Sequence, residues 1–309
     1  MKSTEMGSKG FVVAITCHDA GSSELISRYF SKSNFTLLTD VRGPAKEIFR
    51  RNGISSSMDF VEITQEIDLL VTGISWMDRS YVSLIHQAKL REIKVVTFLD
   101  HWTFDFKDFT FGDLVCLPDA FVVFDQFAYL RAKELFPETA LLMLPNHYIA
   151  SLRNDYLQNS SPDGNSNRRL LYVSEPISKS ENILDVQGNP IDKGNFFSEL
   201  DAYKFLISNI KYINPDIDHI IIRPHPSENS DKFGSEYLDE NIMVSVSANS
   251  NLISDLARVQ TVAGSHTMAL AISVKLGIRS ISLVPEGSGD CVIPYPQIEM
   301  LRDLIPTSN

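Results

Sequence analysis

Residues 220–228 read IIIRPHPSE and carry the strongest indication of the fold. The β-branched isoleucines predict a buried strand, which runs directly into Arg223, His225 and two prolines. Proline fixes φ and lacks an N–H donor, so the loop is stiff where the strand ends. Ligands of open α/β sheets bind beyond the carboxyl ends of the strands. The stretch therefore predicts a parallel sheet with a functional loop at its carboxyl edge.

Short apolar strands alternate with helices on both sides of this stretch. Strands are predicted at 11–17, 35–40, 68–72, 94–99, 120–124, 170–174, 219–223, 242–246, 261–263 and 279–284. Helices are predicted at 22–31, 44–52, 197–213 and 267–276. This alternation is typical of parallel sheets covered by helices on both faces. The polar stretch at 158–168 predicts a linker between Rossmann-like α/β domains at 1–157 and 169–309, facing each other across a cleft.

Composition limits the classes of function. The chain has 309 residues and a net charge of −11, which argues against general nucleic-acid binding. Its apolar runs are strand-sized, and its start lacks the apolar region of a signal peptide. Three scattered cysteines, at 17, 116 and 291, have no metal-ligand spacing and fit a reducing compartment. We therefore expect a cytoplasmic protein without nucleic-acid partners.

Arg223 and His225 are the first candidate site residues. An arginine presents a planar fork that suits phosphate, and a histidine can donate to phosphate or protonate a leaving oxygen. The alternative is a proline-rich turn with a solvated histidine.

Two further loops of the second half have the character of a nucleotide site. In AGSHTMALAISVKLG, residues 263–277, Ser265, His266 and Thr267 open a helix, and free N–H groups at a helix start attract anions. The alternative is that Ser265 is only an N-cap. In LVPEGSGD, residues 283–290, Glu286 follows a strand and suits the ribose hydroxyls, unless the segment is a surface turn.

Two loops of the first half are candidates for acceptor chemistry. In TCHDAGSSE, residues 16–24, Asp19 suits a general base, while His18, Gly21 and Ser22 suit acceptor binding. The alternative for Asp19 or Ser22 is an N-cap role.

The second of these loops is FLDHWTFDFKDF, residues 98–109, in which Asp100 and His101 also follow a strand. Trp102 and the neighbouring phenylalanines would stack on a sugar, pack in the core, or form a surface for a membrane or for glycan-assembly proteins. Neither acid–histidine cluster has a recognised metal-ligand spacing, so no metal cofactor is expected. GxGxxG, GxxxxGK[ST] and GxSxG are absent from the sequence, which argues against dinucleotide oxidoreductases, P-loop NTPases and α/β hydrolases.

Over residues 170–285 the chain resembles bacterial sialyltransferases, polysialyltransferases and Kdo transferases of the GT-B fold. The segments LLYVSEPI (170–177), IIIRPHPSE and AGSHTMALAISVKLG occur in the order found in that group. The resemblance implies a CMP-sugar donor whose phosphate contacts His225 and Pro226, and Ser265 and Thr267. It also implies donor binding near Ser174 and Glu175. CDP-glycerol glycerophosphotransferases look similar in the same places.

In the first half, the group's acidic D/E-D/E-G motif is replaced by His18-Asp19-Ala20-Gly21. We expect Asp19 to act as the base, with Asp100 or His101 as alternatives. The function expected is transfer of a CMP-activated acidic sugar to a bacterial surface glycan, such as capsule or lipopolysaccharide. A UDP-sugar epimerase or hydrolase, a CDP-glycerol transferase and a non-catalytic nucleotide-binding protein remain as alternatives.

Overall fold

The computed structural model describes residues 10–54, 63–75, 78–160, 166–179, 197–225, 228, 232–233, 242–248 and 251–306. The chain divides into two compact units, Met1–Tyr148 and Ile149–Asn309. Of the stretch predicted as a linker, 158–168, residues 161–165 lie outside the described residues. Among the described residues, no helix combines the length and apolarity needed to cross a membrane.

The first unit is built on one parallel sheet. The strands of this sheet are β1 (Val12–Cys17), β2 (Thr36–Val41), β3 (Leu69–Gly73), β4 (Lys94–Phe98), β7 (Ala120–Val123) and β8 (Ala140–Met143). Between β4 and β7, the short strands β5 (Thr110–Phe111) and β6 (Leu114–Val115) form a separate antiparallel hairpin. Its helices are α1 (Ala20–Phe30), α2 (Ala45–Arg51), α3 (Tyr81–Leu90), α4 (Gln126–Leu135) and α5 (His147–Asn159), the last of which continues past Tyr148. Over the described part of this unit, the strand order is β2-β1-β3-β4-β7-β8, with parallel pairing throughout.

Strand β1 shows why these strands are continuously apolar. Val13 and Ile15 pack into one core cluster, whereas Val12 and Ala14 pack into another on the opposite face of the sheet. Successive side chains of a strand alternate between faces, so a strand with helices on both faces needs apolar residues at every position.

The second unit repeats this plan. Its strands are β9 (Arg169–Val173), β10 (His219–Arg223), β11 (Met243–Val246), β12 (Thr261–Gly264), β13 (Arg279–Ser282) and β14 (Ile298–Met300). Its helices are α6 (Glu199–Ile213), α7 (Leu252–Leu256), α8 (Met268–Leu276) and α9 (Leu301–Leu304). For the described residues the order is β11-β10-β9-β12-β13-β14, again parallel. Three 3₁₀ turns are described, at Phe106–Phe109, Ser166–Arg168 and Ile177–Lys179.

The predicted fold class is confirmed, because the chain forms α/β units on two parallel six-stranded sheets within the described residues. The strand predicted at 219–223 has those bounds in the structure, and the helix predicted at 267–276 runs over Met268–Leu276. Strands β8 and β14 and the hairpin of β5 and β6 were not predicted from the sequence. Strand β8 is an edge strand with exposed Leu142 and Met143, so the burial that marks an inner strand is missing there.

Candidate functional site

Each sheet has one point where the strand order changes direction. In the first unit the chain goes from β1 to β2 on one side and then to β3 on the other, so loops after β1 and β3 diverge at the carboxyl edge. In the second unit the same change occurs between β9 and β12. Diverging loops open a crevice at such a switch point, and ligands of α/β sheets bind there. The candidate residues of each unit lie in loops at the carboxyl edge of its sheet, around these two points.

Asp19 lies at the switch point of the first unit. Its Oδ1 lies 2.6 Å from His18 Nδ1 and accepts a hydrogen bond of 2.8 Å from Ser75 Oγ, which follows β3. Asp19 occupies the N-cap position of α1, but its side chain makes no capping hydrogen bond. The carboxylate is therefore committed to its neighbouring side chains and not to the helix.

The His18 ring packs against Gly43. This glycine has φ +50°, and a Cβ at its position would lie 2.7 Å from His18 Nε2. The ring borders a small cavity at the same edge of the sheet. That cavity is lined by Thr16, Cys17, His18, Arg42, Gly73, Ser75, Asp78, Ser80 and Tyr81.

Gly21 and Ser22, predicted to bind an acceptor, have structural contacts at the start of α1. A Cβ on Gly21 would lie 2.0 Å from Asp100 Oδ2, so the missing side chain makes room for this carboxyl. Ser22 is fully buried, and its hydroxyl lies 3.2 Å from Cys17 Sγ and 3.4 Å from the carbonyl of Ile74. The hydroxyl of Ser22 is thus buried inside the unit, and acceptor binding by Gly21 and Ser22 stays a prediction.

Asp100 follows β4 and is held in a poorly solvated place. Burial raises the pKa of its carboxyl, and the nearby Asp19 carboxylate acts in the same direction. Its Oδ1 is shielded from solvent and has no hydrogen-bond partner among the described residues. A carboxyl in such surroundings favours its protonated form.

The neighbours of Asp100 have contacts of their own. His101 Nδ1 lies 3.2 Å from the backbone N of Thr103 and 3.1 Å from its hydroxyl. The Trp102 indole N–H donates to the Asp125 carboxylate at 3.0 Å, and its ring packs on the core. Among the phenylalanines of this segment, Phe104 and Phe109 are fully buried, whereas Phe106 is exposed. The aromatic run is thus mainly core.

In the second unit, Arg223 ends β10. Its Nη1 donates to the carboxylate of fully buried Asp255 at 2.7 Å, and this carboxylate also accepts from Ser247 Oγ at 2.7 Å. The ion pair fixes the guanidinium at the carboxyl edge of the sheet, so a ligand here meets an arginine whose charge is already shared with Asp255.

The imidazole of His225 is exposed, and the Pro226 beside it lies outside the described residues. The backbone N–H of His225 donates to Glu228 Oε2 at 2.8 Å. The other oxygen of Glu228 accepts from the hydroxyl of Ser174 at 3.1 Å and is ion-paired with Lys232. The direct role predicted for the His225 imidazole at a donor phosphate stays a prediction.

Glu228 is a residue of this loop for which the sequence predicted no role, although it contacts two predicted site residues. The side chain of Ser174, predicted to bind donor, is buried and bound to it. A carboxylate three residues after His225 that returns to its N–H resembles the reciprocal bond of a capping box, which is a readable local signal. Glu228 therefore fixes the backbone of the loop.

Glu175 occupies the switch point of the second unit. Its Oε2 accepts hydrogen bonds from the backbone N–H groups of His266, at 2.6 Å, and Ser265, at 3.2 Å. Burial raises the pKa of Glu175 to about 7, although these N–H donors oppose the shift. Residues predicted to bind the donor thus bind each other: the backbone N–H groups directly before the N-cap of α8 hold the carboxyl group of Glu175.

Thr267 and the side chain of His266 complete the segment that leads into α8. Thr267 is the N-cap of α8, and its Oγ1 accepts from the N–H of Ala269 at 3.2 Å. Burial lowers the pKa of His266 to about 4, so its ring is neutral, and its Nε2 is buried without a partner among the described residues. Glu286, predicted to bind ribose, is exposed in a turn after β13. Among the described residues, no group of three His, Cys, Asp or Glu is placed to hold a metal ion.

Comparisons with known proteins identify the architecture. No family model and no curated protein matches the chain. A crystal structure of the glycotransferase of kitacinnamycin is similar at a TM-score of 0.52 and 10% identity, covering 88% of this chain and 80% of that one.

Two epimerase structures are similar to the same degree. The UDP-GlcNAc 2-epimerase from Neisseria meningitidis, bound to UDP-GlcNAc, has a TM-score of 0.52 and 10% identity over 85% of this chain and 80% of that one. A putative UDP-N-acetylglucosamine 2-epimerase from Listeria monocytogenes has a TM-score of 0.55 and 8% identity over 88% and 79%. At such identities the likeness shows the fold, which is that of GT-B glycosyltransferases and these epimerases.

Proposed function

We propose that this chain is a nucleotide-sugar-dependent glycosyltransferase that moves a CMP-activated acidic sugar, such as sialic acid or Kdo, onto a bacterial surface glycan. The strand order of the second sheet carries the proposal. The four loops predicted to bind donor follow β10, β9, β12 and β13, which are consecutive neighbours in that sheet. Loops that are distant in sequence therefore share one edge, around the switch point.

The start of α8 supplies the phosphate site. The backbone N–H groups of Ser265 and His266, directly before the N-cap Thr267, already bind the carboxyl group of Glu175, so they are oriented for a charged oxygen. Arg223 and His225, at the end of β10, extend the site on one side, and Glu286, at the end of β13, suits the ribose on the other. A donor phosphate would displace the carboxylate of Glu175.

The chemistry follows from where charge develops. As the bond from the sugar to the phosphate breaks, negative charge grows on the leaving phosphate, and fixed donors stabilise this charge most in the transition state. Loss of one such donor costs on the order of 3 kcal/mol. His225 would protonate the leaving oxygen. The acceptor would be activated at the carboxyl edge of the first sheet. The three cysteines are buried and unpaired, which supports action in the cytoplasm.

A nucleotide titration tests the proposal. We expect CMP to raise the melting temperature more than CDP or UDP, because the proposed donor is a CMP-sugar. A ligand at 100 times its Kd stabilises a fold by about 2.7 kcal/mol, so the effect is measurable. His225→Gln should weaken this effect, whereas His147→Gln, at an exposed histidine of the other unit, should leave it unchanged. Absence of stabilisation by all three nucleotides would refute the proposal.

A UDP-sugar epimerase or hydrolase is the second candidate, favoured by the structural likeness to two UDP-GlcNAc 2-epimerase proteins. Preference for UDP, with conversion of UDP-GlcNAc, would select it. Preference for CDP would select a CDP-glycerol transferase. Binding of CMP without turnover of any CMP-sugar would indicate a non-catalytic role.

A further inference from the structure

The contacts of Asp19 indicate what this carboxylate does. Its Oδ1 is approached by two groups, His18 Nδ1 at 2.6 Å and Ser75 Oγ at 2.8 Å. These groups come from the ends of β1 and β3, the strands that form the switch point of the first sheet. An oxygen that accepts two hydrogen bonds is suited to orienting its donors. It is poorly suited to capturing a further proton.

The arrangement leaves one nitrogen of His18 available. When a neutral imidazole donates from Nδ1, its lone pair lies on Nε2. The structure gives Nε2 no hydrogen-bond partner among the described residues, and the side chain is 25% exposed. Gly43 allows the ring to lie in this position, because any Cβ there would meet Nε2 at 2.7 Å.

We propose that His18 Nε2, and not the Asp19 carboxylate, takes the proton of the acceptor, with Asp19 and Ser75 as positioning residues. This inference rests on the proposed function and specifies its acceptor side. The acceptor O–H bond breaks and its proton moves to Nε2, while the acceptor oxygen forms a bond to the anomeric carbon of the sugar. The bond from that carbon to the phosphate oxygen breaks, and its electron pair leaves with the nucleotide. The imidazolium that forms is balanced by the adjacent Asp19 carboxylate.

The other ionisable groups around the cavity do not compete for this role. Burial raises the pKa of the Cys17 thiol to about 12, and it also raises the pKa of the Tyr81 phenol. Arg42 pairs with Asp40 at 2.8 Å and with Asp78 at 3.1 Å, so these charges satisfy one another. Asp100 is the remaining neighbouring acid, and burial disfavours its charged form.

The test compares variants by the release of CMP. The donor is whichever of CMP-sialic acid and CMP-Kdo the wild-type chain consumes, with lactose or water as acceptor. His18→Ala should lower kcat by about 100-fold to 10,000-fold, the range of general-base catalysis, with nucleotide-induced stabilisation unchanged. Added imidazole should restore part of the rate. His86→Ala, at another half-buried histidine of the first unit, should keep wild-type turnover.

The second part of the test measures the turnover of variants of the two positioning residues. Asp19→Asn should lower kcat less than His18→Ala does, and imidazole should not restore it. Ser75→Ala should have the smallest effect of the three. If Asp19→Asn abolishes turnover while His18→Ala retains it, or if imidazole fails to rescue His18→Ala, the inference is overturned and the proposed function stands. If the wild-type chain consumes no donor and binds no nucleotide, both are overturned.

Discussion

The two switch points have the same topology and different chemistry. In the first unit, the Asp19 carboxylate contacts the side chains of His18 and Ser75, and His18 Nε2 has no hydrogen-bond partner among the described residues. In the second unit, Glu175 binds the backbone N–H groups of Ser265 and His266. The first arrangement suits the movement of a proton, and the second suits the binding of an anion. The same sheet order thus supports either task, and the loop residues decide which one.

Each unit also holds an acid with a raised pKa near a helix start, and the two acids differ in their partners. Glu175 accepts two backbone hydrogen bonds at the start of α8. Asp100 lies against Gly21 at the start of α1, and its Oδ1 has no partner among the described residues. Burial is the largest cause of the raised pKa in both. The difference predicts distinct responses to substitution.

The largest expected effect is on the pH dependence of stability. Because the pKa of Glu175 rises from 4.5 to about 7 on folding, the native state holds its proton where the unfolded state has lost it. Wild-type stability should therefore fall as pH rises from 4.5 to 7, by about 3 kcal/mol from this group. Glu175→Gln should remove that fall, as measured by urea unfolding at a series of pH values.

Glu199 provides a control of opposite sign. Its ion pair with Lys232 helps to hold its pKa at about 2, so its contribution is present above pH 4.5 and is lost as pH falls towards 2. Glu199→Gln should therefore destabilise the protein at neutral pH. Parallel pH curves for wild type and Glu175→Gln would contradict the assignment of Glu175.

The next effect concerns Gly21, in the first turn of α1, and Gly264, the last residue of β12. A Cβ on Gly21 would meet Asp100 Oδ2 at 2.0 Å, and one on Gly264 would meet the Thr267 methyl at 2.6 Å and the Val173 carbonyl at 3.0 Å. Each substitution to alanine should cost about 1–3 kcal/mol, the range for overpacking. Gly10→Ala, whose nearest contact would be at 3.5 Å, is the control.

Double variants sharpen this comparison. Asp100→Ala removes the group that Gly21→Ala meets, so the two losses should be less than additive. Glu175→Ala removes none of the Thr267 and Val173 atoms that a Cβ on Gly264 would meet, so that pair should be close to additive. An equal departure from additivity in the two pairs would contradict this difference between Asp100 and Glu175.

The sequence predicts the strands well because they depend on local pattern. The alternation of buried strands and helices located β1, β9, β10 and β12 within one or two residues of their observed ends. It also identified His18, Asp19, Glu175 and His266 as candidates. The sequence could not show that Glu175 binds the N–H of a residue 91 positions later, because that contact depends on the order of β9 and β12 in the sheet. The contact of Ser75 with Asp19 was missed for the same reason, since it requires β3 to lie beside β1.

The smallest expected effect is on helix capping, where the two helix starts differ again. Thr267 caps α8 through its hydroxyl, whereas the Asp19 side chain makes no capping bond to α1. Thr267→Ala should therefore cost about 1 kcal/mol in urea unfolding, and Thr267→Ser should cost little because it keeps the hydroxyl. If Thr267 also contacts the donor phosphate, Thr267→Ala should weaken CMP binding beyond this loss of stability, and Thr267→Ser should retain it. Equal CMP affinity in the two variants would confine Thr267 to capping, and the anion site would then consist of backbone N–H groups.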